Sequence, residues 1–382
     1  MSFFEEKKAA AILKHAILDS YIDPFVGKTG KHSTDHRVAF IDAYAGEGRY
    51  ESGAEASPSM LMRKAQALSA LPRKLECYFV EDNPEVFAKL EAVVEREGSG
   101  LPVRPQLFPG KAGQHLTHLL NLVDGIPLLL FLDPYGLMVP FELAVTAFTS
   151  RTRGYGAPAT ELLINFNATG LRRIAGHLTS PKGSEATLRA MDEVFGGSEW
   201  RQIWLEHAAD RNASDEDRAA AEEAVVNEYA GRFAKAARCG VWTADVRNRA
   251  HHRPVYHLVF LTRHPDGMSA FAEALSLGLE KWRKALHLID NADTLFGDED
   301  AFKASEETLA AEWVDEIAAN LRAQMEGGQA FTIIDRYNEV FGSATGLARQ
   351  THLRKAWKRL HAAGVTRTDS KGDLIKKRIE PA

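Results

Sequence analysis

Apolar residues recur along this 382-residue chain in two rhythms, a helical spacing and short unbroken runs. Ala9, Ile12, Leu13, Ala16, Ile17 and Tyr21 keep the helical spacing and predict an N-terminal helix over 5–26. Val38–Asp42 predicts a first strand, and Ser57–Ser69 the helix after it. Leu75–Val80 predicts a second strand, followed by a helix over Pro84–Glu97 with proline at its start, where no N–H is needed. Arg104–Phe108 reads as a third strand, with a helix near Gly113–Leu122. Ile126–Leu132 and Glu161–Phe166 are apolar runs of the kind that strands buried on both faces require. Strand and helix alternate regularly, which predicts a parallel sheet with right-handed crossovers.

The pattern then changes. Gly240–Asn248 and Val255–Arg263 are strand-like runs joined by a short polar link, an antiparallel hairpin that closes the sheet. Seven strands with a terminal antiparallel pair make an α/β, class I methyltransferase-like Rossmann sheet. Residues 171–238 form a polar helical insertion that covers a site, binds substrate or simply packs. An acidic helical connector over 298–328 stops at Gly327-Gly328. Helices over Phe331–Phe341 and Thr345–Ala363, then a hairpin over 365–375 with its turn at Asp369–Gly372, suggest a C-terminal winged-helix-like domain at 329–382. The expected plan is a helix at 1–30, an α/β domain at 31–170 and 239–297, the insertion, the connector and this last domain.

Composition is that of an ordinary globular protein, 45% hydrophobic and 26% charged. No apolar run is long enough to cross a bilayer, and the N-terminus lacks a signal-peptide pattern, so a cytoplasmic protein without membrane contact is expected. Cys77 and Cys239 make neither a disulfide framework nor a Cys-x-x-Cys pair. The net charge of −5 excludes a uniformly basic coat. From Phe331 on, however, 11 Lys/Arg face 5 Asp/Glu, so this stretch carries +6 and the rest −11. Any polyanion contact is expected there, with Arg354, Lys355 and Lys358 as candidate contacts on the faces away from Leu353, Trp357 and Leu360. The alternative is an amphipathic helix whose charges are merely solvated.

The candidate chemistry sits at strand ends. Asp42-Ala-Tyr-Ala45-Gly46-Glu-Gly48 is a buried strand's last acid followed by a small-residue loop. Its spacing departs from the dinucleotide pattern Gly-x-Gly-x-x-Gly and is closer to the loop of S-adenosylmethionine (SAM) methyltransferases. Asp42 is placed to orient backbone amides or approach the cofactor's amino group through water. Glu81, at the end of the second strand, is the candidate acceptor for ribose hydroxyls, with Asp82 competing because a one-residue slip exchanges them. Phe131-Leu-Asp133-Pro134-Tyr135-Gly resembles the [Asn/Asp/Ser]-Pro-Pro-[Tyr/Phe] of amino-group methyltransferases, and more closely the Asp-Pro-Phe-Gly of tRNA guanine-N2 dimethyltransferases. There Asp133 would hold an exocyclic amine and take its proton, Pro134 would lend a carbonyl and Tyr135 would stack on the base. Asn165, Asn167 and Arg172 follow the fifth strand, where they could read a base edge and hold phosphate, or only satisfy the loop backbone. His251, His252 and His257 lack carboxylate or cysteine partners at ligand spacing, so no metal site is expected.

Together these motifs resemble the three-Cys-motif partner (TcmP) family. The matching segments are Lys14-His15 with Tyr21, Phe40–Gly53, Ser57-Pro58, Phe79–Glu81, Phe131–Gly136, Leu163–Phe166 with Arg172, and Tyr256–Phe260. The resemblance spans roughly 5–290 and implies a class I methyltransferase fold without an assigned reaction. It also implies a separate cysteine-bearing partner protein, radical-SAM-like and of phage Gp37/Gp68 type. The function expected is SAM-dependent methylation of an exocyclic amino group on a nucleic-acid base. Two other readings stand beside it: a non-catalytic nucleic-acid-binding partner in repair or defence, and a metal-dependent nuclease using Asp42, Glu81 and Asp133.

Overall fold

In the computed structural model, residues 3–134, 136, 139–151, 157–291 and 299–382 are described, apart from the side chains of 3–8. Helix α1 (Phe3–Thr29) leads to β1 (Arg37–Asp42), α2 (Ser57–Leu68), β2 (Lys74–Glu81), α3 (Pro84–Gly98), β3 (Gln106–Pro109), α4 (Ala112–Leu122), β4 (Leu128–Leu132), α5 (Phe141–Thr149) and β5 (Thr160–Asn167). The insertion supplies α6 (Ala168–Ala175), α7 (Glu185–Phe195), α8 (Glu199–His207) and α9 (Asp215–Ala237), before the hairpin β6 (Gly240–Val246) and β7 (Tyr256–Thr262). The strands form one seven-stranded sheet in the order β3-β2-β1-β4-β5-β7-β6. Strands β1 to β5 pair in parallel, and β7 runs antiparallel to both β5 and β6. A parallel sheet with one reversed strand inserted beside the last is the class I methyltransferase Rossmann-like fold.

Strands β4 and β1 are central because both their faces are apolar. Every residue of β4 is buried, and so is every residue of β1 after Arg37. The insertion is part of this core. Trp200, Trp204, Val225, Tyr229 and Phe233 are buried in one cluster with Leu130, Leu132 and Phe141. The chain order reverses between β1 and β4, and in such sheets ligands bind in the crevice outside the carboxyl ends of those strands.

Two compact units divide the chain, Ile22–His264 with the sheet, and Met1–Tyr21 with Pro265–Ala382. Helix α10 (Pro265–Asp290) therefore groups with the C-terminal helices, whereas the sequence placed it with the sheet. Its Gly278 allows close approach to α1, since a Cβ there would sit 3.1 Å from the Ile17 nitrogen. The second unit continues with α11 (Glu299–Glu326), β8 (Phe331–Thr332), α12 (Tyr337–Phe341), α13 (Gln350–Ala362) and β9 (Arg378–Ile379). The helix expected over Phe331–Phe341 thus opens as a strand, β8, paired antiparallel to β9. The hairpin is also longer than expected. Arg367 N–H donates to Glu380 O and Thr366 bridges to Pro381, because Leu374 and Ile375 are drawn into the core between the arms.

Candidate active site at the carboxyl ends of the parallel strands

Asp42 is fully buried at the end of β1, and its carboxylate organises the loop from behind. One oxygen accepts from Tyr44 N–H at 3.1 Å and the other from the Ser57 hydroxyl at 2.6 Å, so one side chain ties both ends of the loop. Between them Gly46 and Gly48 take φ of 67° and 82°, the left-handed region that glycine enters without strain. Ala45 N–H donates to Val80 O of β2 at 2.8 Å. Glu81, buried at the end of β2, accepts from Gly46 N–H at 3.0 Å and from Asn83 N–H at 2.8 Å.

A cavity of about 420 Å3 opens beside this loop, walled by Ala43, Tyr44, Glu81, Asp82, Lys111 and the first turn of α4, and by Val139 and Pro140 after β4. Of the residues expected at a cofactor, Glu81 and the exposed Asp82 line it, and Asp42, Ala45, Gly46 and Gly48 do not. Burial pushes the Tyr44 phenol up to about 12 against a backbone hydrogen bond from Val139, so it is a neutral group across the physiological range. Tyr44, Lys111, Val139 and Pro140 were not singled out from the sequence. The signal was Pro109-Gly110-Lys111, a turn at the end of a strand that opens a helix.

The second group lies on β4 and β5. Neighbouring pairs Phe131↔Leu163 and Leu132↔Ile164 bring Asp133 and Asn165 to the same edge. The Asn165 amide donates to Asp133 Oδ1. Asn165 is 1% exposed, and its own Oδ1 has no hydrogen-bond partner among the described residues. Pro134 is buried, and Tyr135 lies outside the described residues.

Two other candidates are committed to the fold. Asn167 caps α6, its Oδ1 accepting from Gly170 N–H at 2.8 Å. Arg172 pairs with the buried Glu222 at 2.6 Å and donates to Pro254 O at 3.0 Å. Glu222 also meets His257 Nε2 at 2.8 Å, and His257 Nδ1 meets Asp245 at 2.8 Å. Burial disfavours the charged imidazole, but the hydrogen bonds to Asp245 and Glu222 outweigh it and raise the His257 pKa. Its two carboxylates come from α9 and β6, far from it along the chain rather than at ligand spacing in sequence, and they favour its charged form.

In the C-terminal unit, Arg354 is drawn to the carbonyls of Ser370 and Gly372, and Arg359 pairs with Asp315. Lys355 and Lys358 are exposed and make no salt bridge among the described residues. Leu353, Trp357 and Leu360 share the buried face, as expected. Among the described residues no group of three His, Cys, Asp or Glu is placed to hold a metal ion, and no helix is long and apolar enough to cross a membrane.

No protein-family model matches this chain, and no curated protein matches its sequence. Solved structures similar to it include the SAH-bound methyltransferase PaMTH1 of Podospora anserina, at 10% identity and a TM-score of 0.31, over 69% of this chain and 97% of that one. Trm1 from Pyrococcus horikoshii, in complex with S-adenosyl-L-methionine, is 14% identical with a TM-score of 0.36, over 82% of this chain and 86% of that one. At such scores the fold assignment rests on the strand order itself.

Proposed function

We propose that this chain is a SAM-dependent methyltransferase acting on an exocyclic amino group of a nucleic-acid base. The observation that carries it is the Asp133–Asn165 pair at the carboxyl ends of β4 and β5, a carboxylate beside a buried amide oxygen that has no partner among the described residues. An exocyclic amine offers two N–H donors and needs two acceptors. Asp133 and Asn165 Oδ1 supply both, and a buried acceptor favours a ligand that satisfies it.

The cavity suits the cofactor in size and in chemistry. Its volume lies within the usual range for small-molecule sites, roughly 300–1,000 Å3. Glu81 or Asp82 would accept from the ribose hydroxyls, and the N–H groups of Ala112 and Gly113 in the first turn of α4 would meet acceptors on the adenine. When bound, SAM supplies an electrophilic methyl group. Asp133 would hold the amine by its N–H so that the nitrogen lone pair is presented in line, and would accept the proton released. Asn165 fixes the carboxylate in that position. A base within a duplex would have to be flipped out to reach it. Calorimetry of SAM with the intact chain, followed by methyl transfer to DNA and RNA pools, tests this. Loss of transfer in Asp133→Ala with SAM binding retained is expected, and absence of SAM binding by the folded protein sinks the proposal.

A second reading, nucleic-acid binding without methyl transfer as a partner of a three-Cys-motif protein, draws on the exposed Lys355 and Lys358 of α13, a helix whose apolar face shares a core with the β8–β9 pair, an arrangement like that of a winged helix. Salt-dependent binding unaffected by Asp133→Ala or by SAM would favour it. The nuclease reading needs three converging acids, and Asp42 is fully buried with both oxygens turned to Tyr44 N–H and the Ser57 hydroxyl.

A further inference from the structure

A second cavity, of about 320 Å3, lies in the insertion, and four arginines line it: Arg172, Arg211, Arg218 and Arg253. We propose that it is a phosphate pocket that grips the backbone of the nucleic acid whose base reaches Asp133, an inference resting on the function proposed above.

Three of the guanidinium groups are held by main-chain oxygens rather than left to swing. Arg172 donates to Pro254 O at 3.0 Å, Arg218 to Arg211 O at 2.7 Å, and Arg253 to Asp215 O. Carboxylates offset only part of the charge. Glu222 neutralises Arg172, and Arg253 meets Asp215 at 3.1 Å, but that aspartate is 88% exposed and the pair is weak. Arg211 and Arg218 have no carboxylate partner among the described residues. Asp210, the acid in the wall, turns one oxygen to Asn212 N–H at 2.6 Å, capping its own turn.

Like charges gathered around one cavity repel, and a bound anion relieves them. Guanidinium forks match phosphate oxygens in pairs, which a lone lysine does not do. The buried Trp204 and Ala208 give the wall an apolar part where sugar or base can rest. The pocket also lies on the right helix. Arg172 belongs to α6, which begins directly after β5 and Asn165 and is about 12 Å long. One strand can therefore reach both places.

The test uses the full chain, labelled single-stranded and duplex oligonucleotides read by anisotropy across a salt series, and calorimetry with SAM. Arg211→Gln/Arg218→Gln is expected to weaken binding about 10-fold and to make the slope of log K against log salt shallower by about 0.7 for each single-strand phosphate released. SAM affinity and the thermal midpoint should stay as in the parent. Arg211→Gln alone removes a guanidinium that makes no bond among the described residues, so it keeps the test valid if the double variant misfolds. Unchanged affinity and slope, with SAM binding intact, overturns the pocket and leaves the methyltransferase reading standing. Absence of SAM binding in the parent chain overturns that reading instead. If inorganic pyrophosphate binds while no oligonucleotide does, the pocket takes a small phosphorylated ligand and its assignment to nucleic acid falls.

Discussion

Replacing Glu81 by glutamine separates two duties that one carboxylate performs. Its oxygens accept from Gly46 N–H at 3.0 Å and Asn83 N–H at 2.8 Å, so both partners are donors. Glutamine keeps the shape but offers one acceptor and one amino group. The oxygen can serve one backbone N–H, while the amino group meets the other as donor against donor. Leaving that buried N–H unpaired costs about 1–3 kcal/mol, and the surviving bond loses its charge assistance, roughly 1 kcal/mol more. Relief of the buried charge offsets a part of this. The net loss is therefore at most about 2–4 kcal/mol, which for a unit of this size lowers the melting temperature by no more than roughly 4–16 °C.

Asp82→Asn is the control. Asp82 is exposed, lines the same cavity and holds no loop amide among the described residues. Glu81→Gln should lower both the sheet unit's unfolding midpoint and SAM affinity, the latter at least 10-fold. Asp82→Asn should leave the midpoint within about 0.5 kcal/mol of the parent, since exposed substitutions rarely exceed that. Urea titration and calorimetry on the same preparations read the two effects. A Glu81→Gln protein as stable as the parent would refute the claim that this carboxylate holds the loop. Unchanged SAM affinity in Glu81→Gln, with a loss in Asp82→Asn, would transfer the ribose contact to Asp82.

The loop's glycines should not be equivalent. Gly46→Ala meets only the left-handed backbone, costing about 1–2 kcal/mol, whereas a Cβ at Gly48 also lies 3.0 Å from Val93, so Gly48→Ala should unfold at lower urea. Arg151 is buried, burial lowers its pKa, and it donates to the carbonyls of Leu120, Val123 and Ile126 where α4 ends. Arg151→Met leaves them without this donor and should cost about 3 kcal/mol by denaturant midpoint. A loss under about 1 kcal/mol would show that water replaces it. His257, facing Glu222 and Asp245 with Arg172 and Arg247 behind them, has a pKa raised above 6.5, so its stabilisation is full below that pH and is lost as pH rises through the folded value. Burial works against Asp245 ionising, yet its hydrogen bond to His257 wins and lowers its pKa below 3.8, so its stabilisation is present above that pH and fades as pH falls through the folded value. The urea midpoint should therefore be greatest between about pH 4 and 6.5, and the decline above 6.5 should shrink in His257→Gln.

The parallel strands were legible because burial on both faces leaves an unbroken apolar run, and Ala39–Ile41 and Leu128–Leu132 show it directly. Asp42 and Asp133 were legible because an acid ending such a run must find partners. Their partners were less so. Asn165 meets Asp133 across a strand pair 32 residues apart, and Arg172 finds Glu222 and Pro254 at separations of 50 and 82. No local periodicity encodes such distances, so the carboxylate and the carbonyl that hold Arg172 could not be read from its neighbours in sequence. Only the start of the helix expected from Phe331 was misplaced, for a related reason. Phe331 and Thr332 are themselves good strand residues, and the partner that lets them pair, β9, lies far along the chain.

Under the proposed function, Asn165 is where stability and function pull apart. On β5 it sits among Leu162, Leu163, Ile164 and Phe166, each buried, and a leucine would suit that setting better. Its amide oxygen instead stays buried without a partner among the described residues, at a cost of about 1–3 kcal/mol. The donation to Asp133 does not require this, because a serine or threonine hydroxyl could donate to a carboxylate without leaving a second polar atom stranded. What an asparagine adds is an acceptor beside the carboxylate, and an acceptor is useful only to an incoming donor. Local consistency tends to break at functional sites. Here it breaks at the residue that would complete the pair of acceptors an amino group needs.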